Sequence, residues 1–95
     1  MNSKQRAYLR KLAQTMDPIF HIGKSSITPE FTEAINDALE ARELIKINVL
    51  KNCFDDPKSL SLILADRTNS EVVHVMGRKI VLYRASKDKP KIMLP

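Results

Sequence analysis

This sequence has little cysteine, glycine or aromatic side chain: one Cys, two Gly and no Trp among 95 residues. The single cysteine, Cys53, can form no disulfide within the chain, so we expect a reducing compartment, with the cytoplasm as the default. No window approaches the ~18 unbroken apolar residues of a membrane-spanning helix, and no membrane partner is expected. The scarcity of aromatics argues against a protein that reads single strands by stacking successive bases.

The sequence also lacks the residue groupings on which catalysis usually depends. Its carboxylates are concentrated on one predicted helix and at one helix cap, so no acid/base pair is evident. His21 and His74 lie in predicted strands without a second ligand at metal spacing, and we expect them to be packed or hydrogen-bonded. Cys53 has no histidine nearby in sequence to activate it and is expected to be inert. We therefore expect no enzyme activity, no metal, no cofactor and no small-molecule substrate.

Charge is what the sequence has in excess, and it is unevenly distributed. There are 16 lysines and arginines and 11 carboxylates, giving a net charge of +5. Residues 1–24 and 71–95 are strongly basic, whereas residues 25–43 hold five acidic side chains and one basic. This pattern predicts one face that binds a polyanion and another that is kept away from it. The plainer alternative is a soluble protein with an uneven surface charge.

Hydrophobic periodicity and capping residues predict the element order α-β-α-β-α-β-β. The predicted helices cover residues 3–15, 29–42 and 57–68, and the predicted strands cover residues 19–22, 44–50, 71–76 and 79–83. Ser3, Thr28 and Asp56 are the expected N-caps of the three helices. Helical connections make the first three strands parallel, and the two-residue link Gly77-Arg78 makes the last two an antiparallel hairpin.

The expected fold is therefore an α/β domain with a four-stranded mixed sheet and helices mainly on one face. It covers residues 1–86 as a single domain, and residues 87–95 form a basic tail that is expected to be mobile or loosely docked. Apolar residues at helical spacing are expected to be buried, among them Leu12 of the first helix and Ile63 of the third. Phe20 and Phe31 are expected in the core.

The loop after the first strand is the most suggestive segment. The apolar run 19–22 ends at Gly23, and the chain turns through Lys24, Ser25 and Ser26 into the second helix. A strand that enters a helix through such a turn directs backbone N–H groups and a helix N-terminus at one point, which favours an anion such as phosphate. Lys24 stands in the middle of this loop; the alternative is a turn lysine in solvent.

Four segments of the chain match a known family. They are a basic helix ending in Leu12-Ala13, Ile22-Gly23-Lys24 followed by Ile27-Thr28, Asp56-Pro57-Lys58 at the start of the third helix, and residues 72–84 (VVHVMGRKIVLYR). The chain resembles the CRM domain (chloroplast RNA splicing and ribosome maturation) in its stand-alone bacterial, YhbY-like form. The resemblance runs from about residue 3 to residue 84, and the last segment is the most specific.

The resemblance implies an α/β fold similar to the C-terminal domain of a bacterial translation initiation factor. It also implies RNA binding and association with ribosomal RNA in precursors of the large ribosomal subunit, by a protein that we expect to be monomeric. The residues implied to contact RNA are Gly23, Lys24, Ser25, Ser26, Arg78, Lys79, Lys4, Arg6, Arg10, Lys11 and Arg84. For the four basic residues of the first helix, a simply solvated face is nearly as well supported. Arg84 and the tail lysines would add non-specific, salt-sensitive affinity.

One position departs from the family pattern. The family usually carries Gly-x-x-Gly in the first loop, like the loop with which KH domains hold the RNA backbone, and here Ser26 replaces the second glycine. A Cβ restricts φ and limits how closely the backbone approaches a phosphate. The acidic second helix also leaves a different function open, a protein-interaction module that binds a basic ribosomal protein or assembly factor.

Overall fold

The computed structural model describes all 95 residues and contains the predicted seven elements in the predicted order. They are α1 (Ser3–Ala13), β1 (Phe20–Ile22), α2 (Pro29–Arg42), β2 (Leu44–Val49), α3 (Pro57–Thr68), β3 (Glu71–Met76) and β4 (Lys79–Tyr83). None of the helices is both long and apolar enough to cross a membrane.

The four strands form one mixed sheet in the order β1-β2-β4-β3. β1 is parallel to β2, and β4 is antiparallel to both of its neighbours, β2 and β3. The hairpin therefore folds back so that β4 lies between β2 and β3, which run in the same direction and are not paired with each other. A bulge between Val72 and His74 interrupts the β3–β4 register. The predicted α/β fold with a four-stranded mixed sheet is confirmed.

The main core lies between the sheet and the two helices that follow β1 and β2. Ile35 and Leu39 of α2 and Leu64 of α3 are fully buried, and they pack in one cluster with Ile47 and Ile80 of the sheet. Phe20 and Phe31 meet edge to face beside this cluster, with ring centroids 5.8 Å apart. Two of the three helices thus share one face, as expected.

The opposite face of the sheet is covered by α1 and the end of the chain. Leu9 and Ala13 of α1 pack with Val81 of β4, and Ile92 and Leu94 of the tail join this second cluster. α1 contacts β2, β3 and β4. Polar side chains of β1 and β2 on this face remain accessible, and they contribute to the candidate interface.

Two details of α1 differ from the expectation. Its N-cap is Asn2, because the Asn2 side chain accepts the Gln5 N–H at 2.8 Å while the Gln5 side chain accepts the Asn2 N–H at 3.1 Å. Ser3, the predicted cap, is the first helical residue, since this reciprocal capping box satisfies two free N–H groups at once. The helix also ends at Ala13, where the Lys46 ammonium binds its carbonyl oxygen at 3.0 Å.

Two apolar side chains that were expected in the core are exposed. Leu12 is 37% exposed and Ile63 is 41% exposed, so the stripes that α1 and α3 bury are narrower than their sequence periodicity predicts. Leu9 of α1 and Leu64 of α3 are the side chains that pack against the sheet.

The tail is attached to two carboxylates at the end of α2. Glu43 is fully buried with φ of 69°, and its carboxylate accepts the backbone N–H groups of Ser86, Lys91 and Ile92, each at 2.7 Å. Glu40 accepts the Ser86 hydroxyl at 2.6 Å. The tail has a docked position in the structure, and the mobility expected of residues 87–95 stays a prediction.

Candidate nucleic-acid interface

The loop after β1 is a tight turn in which Ser26 adopts a left-handed conformation. The Ser26 N–H donates to the Gly23 carbonyl at 3.0 Å, and Ser26 has φ of 56°. Lys24 and Ser25, the two residues inside the turn, are exposed. Ser26 therefore holds the backbone geometry that glycine adopts most easily, at a cost of roughly 1–2 kcal/mol for a residue with a Cβ. After the turn, Thr28 caps α2 by accepting the Phe31 N–H at 3.0 Å.

Strand pairing brings two further segments beside this loop. Because β1 and β2 are parallel and β4 is antiparallel to β2, the ends of β1 and β2 and the start of β4 share one edge of the sheet. The Leu50 N–H donates to the Ile22 carbonyl at 2.8 Å, and the Arg78 guanidinium donates to the Leu50 carbonyl at 3.1 Å. The Val49 N–H donates to the Arg78 carbonyl at 2.7 Å. Three loops that are distant in sequence are thus hydrogen-bonded neighbours.

Four exposed cations meet at this edge. Lys24 comes from the first loop, Lys51 from the β2–α3 loop, and Arg78 and Lys79 from the hairpin. We call the sheet-end surface the set of residues 23–26, 50–52, 78 and 79. Lys51 was not among the residues singled out in the sequence, although one signal was present: it follows a strand that runs parallel to β1 and so ends at the same edge.

A polar row leads from the sheet-end surface across the face that carries α1. His21, Asn48 and Lys79 are register partners on three adjacent strands. Lys79 donates to the Asn48 side-chain oxygen at 2.8 Å, and the Asn48 amide nitrogen lies 3.4 Å from Nδ1 of His21. Both His21 and Lys79 are exposed, so the row is accessible along its length.

The row ends in an open groove beside the C-terminal end of α1, with a volume of about 440 Å³. Its polar lining comes from Arg10, Gln14, Lys46, His74 and Lys79. Lys46 donates to two carbonyls at the end of α1, whereas Nε2 of His74 is buried without a hydrogen-bond partner. Of the four basic residues of α1 singled out in the sequence, Arg10 is the one that lines this groove.

The other predicted contact residues are distributed differently. Lys4 and Lys11 are exposed on α1 and do not line the groove. Arg6 is partly buried and its guanidinium donates to the Val72 carbonyl oxygen. Arg6 therefore ties α1 to β3 through one of its donors.

Arg84 is also engaged within the protein. Its guanidinium donates to the Asn36 side-chain oxygen at 2.5 Å, the Asn36 carbonyl at 3.0 Å and the Thr68 carbonyl at 2.8 Å. The side chain is only 17% exposed and lies 3.9 Å from the Glu40 carboxylate. Arg84 joins α2 to the end of α3, away from the sheet-end surface. Nothing in the sequence pattern distinguishes such an arginine from one in solvent.

Acidic side chains lie on the other side of the sheet. Glu33 and Asp37 are exposed on α2, which packs against the face opposite to the polar row. Neither forms an ion pair within the protein. α1 and α2 cover opposite faces of the sheet, but the basic tail lies beside α2, where Lys89 and Lys91 are close to Asp37 and Glu40. The separation of charge expected from the sequence therefore stays a prediction.

Cys53, the possible nucleophile considered in the sequence, lies away from solvent. Cys53 is buried, with 2% of its surface exposed, inside the main core. No group of three or more His, Cys, Asp and Glu side chains is arranged to hold a metal ion.

The chain has relatives along its whole length. It is 40% identical over 95 residues to a Bacillus subtilis protein named "Probable RNA-binding protein YqeI", covering 100% of this chain and 99% of the relative. It is 30% identical over 95 residues to a Haemophilus influenzae protein named "RNA-binding protein", covering 100% and 95%. The fold is similar to the solution structure of SAV1595, a hypothetical protein from Staphylococcus aureus, with a TM-score of 0.83, 50% identity and coverage of 100% and 99%.

The model of the CRS1 / YhbY (CRM) domain matches residues 1–84, which include every strand of the sheet and all of the sheet-end surface. The resemblance drawn from the sequence segments is therefore confirmed, and the chain belongs to the CRS1 / YhbY (CRM) domain family.

Proposed function

We propose that this protein binds structured ribosomal RNA through the sheet-end surface and the adjoining polar row, and that it acts without catalysis in assembly of the large ribosomal subunit. The observation that carries the proposal is the meeting of Lys24, Lys51, Arg78 and Lys79 at one edge of the sheet. Two relatives that match over the full chain have names that describe RNA binding. The ribosomal partner follows from the family resemblance.

The mechanism is electrostatic and geometric. Four exposed cations neutralise phosphates and release counterions, which gives affinity that falls as salt rises. Lys24 and Ser25, the exposed residues of the first loop, add hydrogen bonds to phosphate oxygens. The cations come from three loops that are fixed to one another by backbone hydrogen bonds, so the surface holds RNA segments in a defined relative arrangement. The protein works as a cytoplasmic monomer in this scheme.

Lys24→Glu tests the proposal. The variant replaces an attractive charge at the centre of the surface with a repulsive one, and Lys24 is exposed, so the fold should persist. We expect affinity for a folded large-subunit ribosomal RNA fragment to fall severalfold and the salt dependence to become shallower, measured by equilibrium titration over a salt series. Duplex DNA of equal length serves as the competitor.

Lys89→Glu is the matched control. Lys89 is exposed in the tail beside α2, and its replacement changes the net charge by the same amount. Its effect on RNA affinity should be much smaller. Equal weakening by the two variants would mean that only net charge matters, and unchanged affinity in Lys24→Glu would remove the loop from the interface.

The acidic side of α2 supports a second candidate function. Glu33 and Asp37 are exposed and have no cationic partner, so they are available to a basic ribosomal protein or assembly factor. Glu40 and Glu43 are already occupied by the tail. Weak, equal binding to RNA and DNA, together with loss of a basic protein partner on charge reversal at Glu33 and Asp37, would favour this function.

A further inference from the structure

Phe54 lies outside both cores and is the most exposed aromatic side chain of the protein. Phe54 is 92% exposed, whereas Phe20 and Phe31 pack against the main core. Full exposure of a phenylalanine forgoes the stabilisation that burial of its ring would give. Isolated exposed apolar residues are common, so exposure by itself assigns no role. The inference depends instead on where Phe54 lies and on how its loop is held.

The loop holds Phe54 in place from both sides. Cys53, the preceding residue, is buried in the main core and its N–H donates to the Leu50 carbonyl at 3.0 Å. Asp56, two residues later, caps α3 by accepting the Ser59 N–H at 3.2 Å. These anchors restrain the backbone on each side of Phe54, so less backbone freedom is lost when the loop binds a partner.

Phe54 lies next to the cations of the sheet-end surface. The Leu50 carbonyl that accepts the Cys53 N–H also accepts the Arg78 guanidinium at 3.1 Å. These two bonds share one oxygen, so the Phe54 Cα lies within about 12 Å of the guanidinium. Lys51 belongs to the same loop. An RNA backbone bound at this edge therefore has a nucleotide within reach of the ring.

The charges around Phe54 favour a base over a phosphate. Asp55 and Asp56 follow it directly, and both are exposed. They repel a phosphate on that side of the loop, whereas the uncharged face of a nucleobase meets no such repulsion. The site then has two parts: phosphates lie towards Lys51 and Arg78, and a base lies towards Phe54.

We propose that Phe54 stacks on an unpaired nucleobase of the RNA whose backbone lies on the sheet-end surface. This rests on the proposed function and adds to it a preference for RNA that has an unpaired nucleotide, in a bulge or loop, beside a helical segment. A base that is already paired and stacked in a continuous duplex presents no free face to the ring. Stacking of this kind is sequence-tolerant, because every base has such a face.

The direct test is Phe54→Trp, because the protein contains no other tryptophan. Indole fluorescence then reports on this position alone. We expect an RNA hairpin with one unpaired adenosine to quench the emission strongly, and the same hairpin without the unpaired nucleotide to quench it weakly. Leu62→Trp, at a 62% exposed position on α3, is the control and should respond weakly to both RNAs. Equal quenching of Phe54→Trp by the two hairpins would overturn the proposal.

Affinity provides the second measurement. Phe54→Ala should weaken binding of the hairpin with the unpaired adenosine by about tenfold and leave the fully paired hairpin nearly unaffected, since only the unpaired base can stack on the ring. Lys24→Glu should weaken both. If Lys24→Glu weakens both RNAs while Phe54→Ala changes neither, stacking is wrong and the proposed function stands. If neither variant has an effect, both proposals fail.

Discussion

The carboxylate of Glu43 allows a quantitative test of how the tail is attached to the domain. Glu43 has no exposed surface, and its two oxygens divide three donors between them. Oε1 accepts the N–H groups of Lys91 and Ile92, and Oε2 accepts the N–H of Ser86. These bonds join the end of α2 to the residue before the tail and to the middle of the tail, so we expect Glu43 to contribute far more to stability than an average glutamate.

Glu43→Gln keeps the size of the side chain and removes its charge. The amide oxygen can still accept the N–H groups of Lys91 and Ile92. The amide NH2 group then faces the Ser86 N–H, so that two donors oppose each other. A hydrogen bond to a charged group contributes roughly 1.5–3 kcal/mol, and an unsatisfied buried donor costs roughly 1–3 kcal/mol. We expect Glu43→Gln to lower the free energy of unfolding by about 3 kcal/mol. Domains of this size are stable by roughly 5–14 kcal/mol in total.

Urea unfolding followed by circular dichroism at neutral pH measures this change. Glu33→Gln, which neutralises an exposed carboxylate on the same helix, is the control and should change the free energy of unfolding by less than about 0.5 kcal/mol. A Glu43→Gln variant as stable as this control would refute the assignment of Glu43 as the attachment point.

The pH dependence gives an independent check. Burial raises the pKa of Glu43, but the N–H groups of Ser86, Lys91 and Ile92 outweigh it and hold the pKa below its ordinary value of 4.5. The hydrogen bond from the Ser86 hydroxyl lowers the pKa of Glu40 in the same way. The folded protein then binds fewer protons than the unfolded chain, so this stabilisation is present above pH 4.5 and is lost as the pH falls through the folded pKa values. The stability difference between wild type and Glu43→Gln should shrink over that acidic range.

Two other predictions concern residues that the sequence assigned to the interface. Arg84→Met removes donors to Asn36 and Thr68, so we expect the free energy of unfolding to fall by about 2 kcal/mol while RNA affinity stays unchanged; severalfold weaker RNA binding by the folded variant would contradict the internal role of Arg84. Ser26→Gly should change stability by less than about 1 kcal/mol, because relief of the positive φ opposes the greater chain entropy of glycine. RNA affinity should rise severalfold as the backbone approaches the phosphate more closely, and an unchanged titration would show that Ser26 does not limit the contact.

Most of the secondary structure could be predicted because its signals are local. Thr28 and Asp56 cap their helices as expected, since a side-chain oxygen needs only to reach an N–H three residues away. The same reasoning was wrong for α1, where both Asn2 and Ser3 are capping types and the partner Gln5 decides between them. Burial was predicted less well, because periodicity shows that a helix has an apolar face but not how wide a strip the sheet covers, as Leu12 and Ile63 demonstrate.

The sequence by itself determined the elements and the family of this protein, because these depend on hydrogen bonds and patterns within a few residues. That the loop at Gly23 and Lys24 contacts RNA stays a prediction. The tertiary structure decided which loops are neighbours. Insertion of β4 between β2 and β3 places Arg78 against Leu50, and with it Lys51 and Phe54 come to the same edge. The tertiary structure also directs the Arg84 guanidinium to Asn36 and Thr68 within the protein. Whether a cationic side chain is free to bind RNA or holds the fold together depends on the groups within about 3 Å of it. Partners that are 16 or more residues apart in the chain become neighbours only when the sheet is assembled, so the sequence does not reveal them.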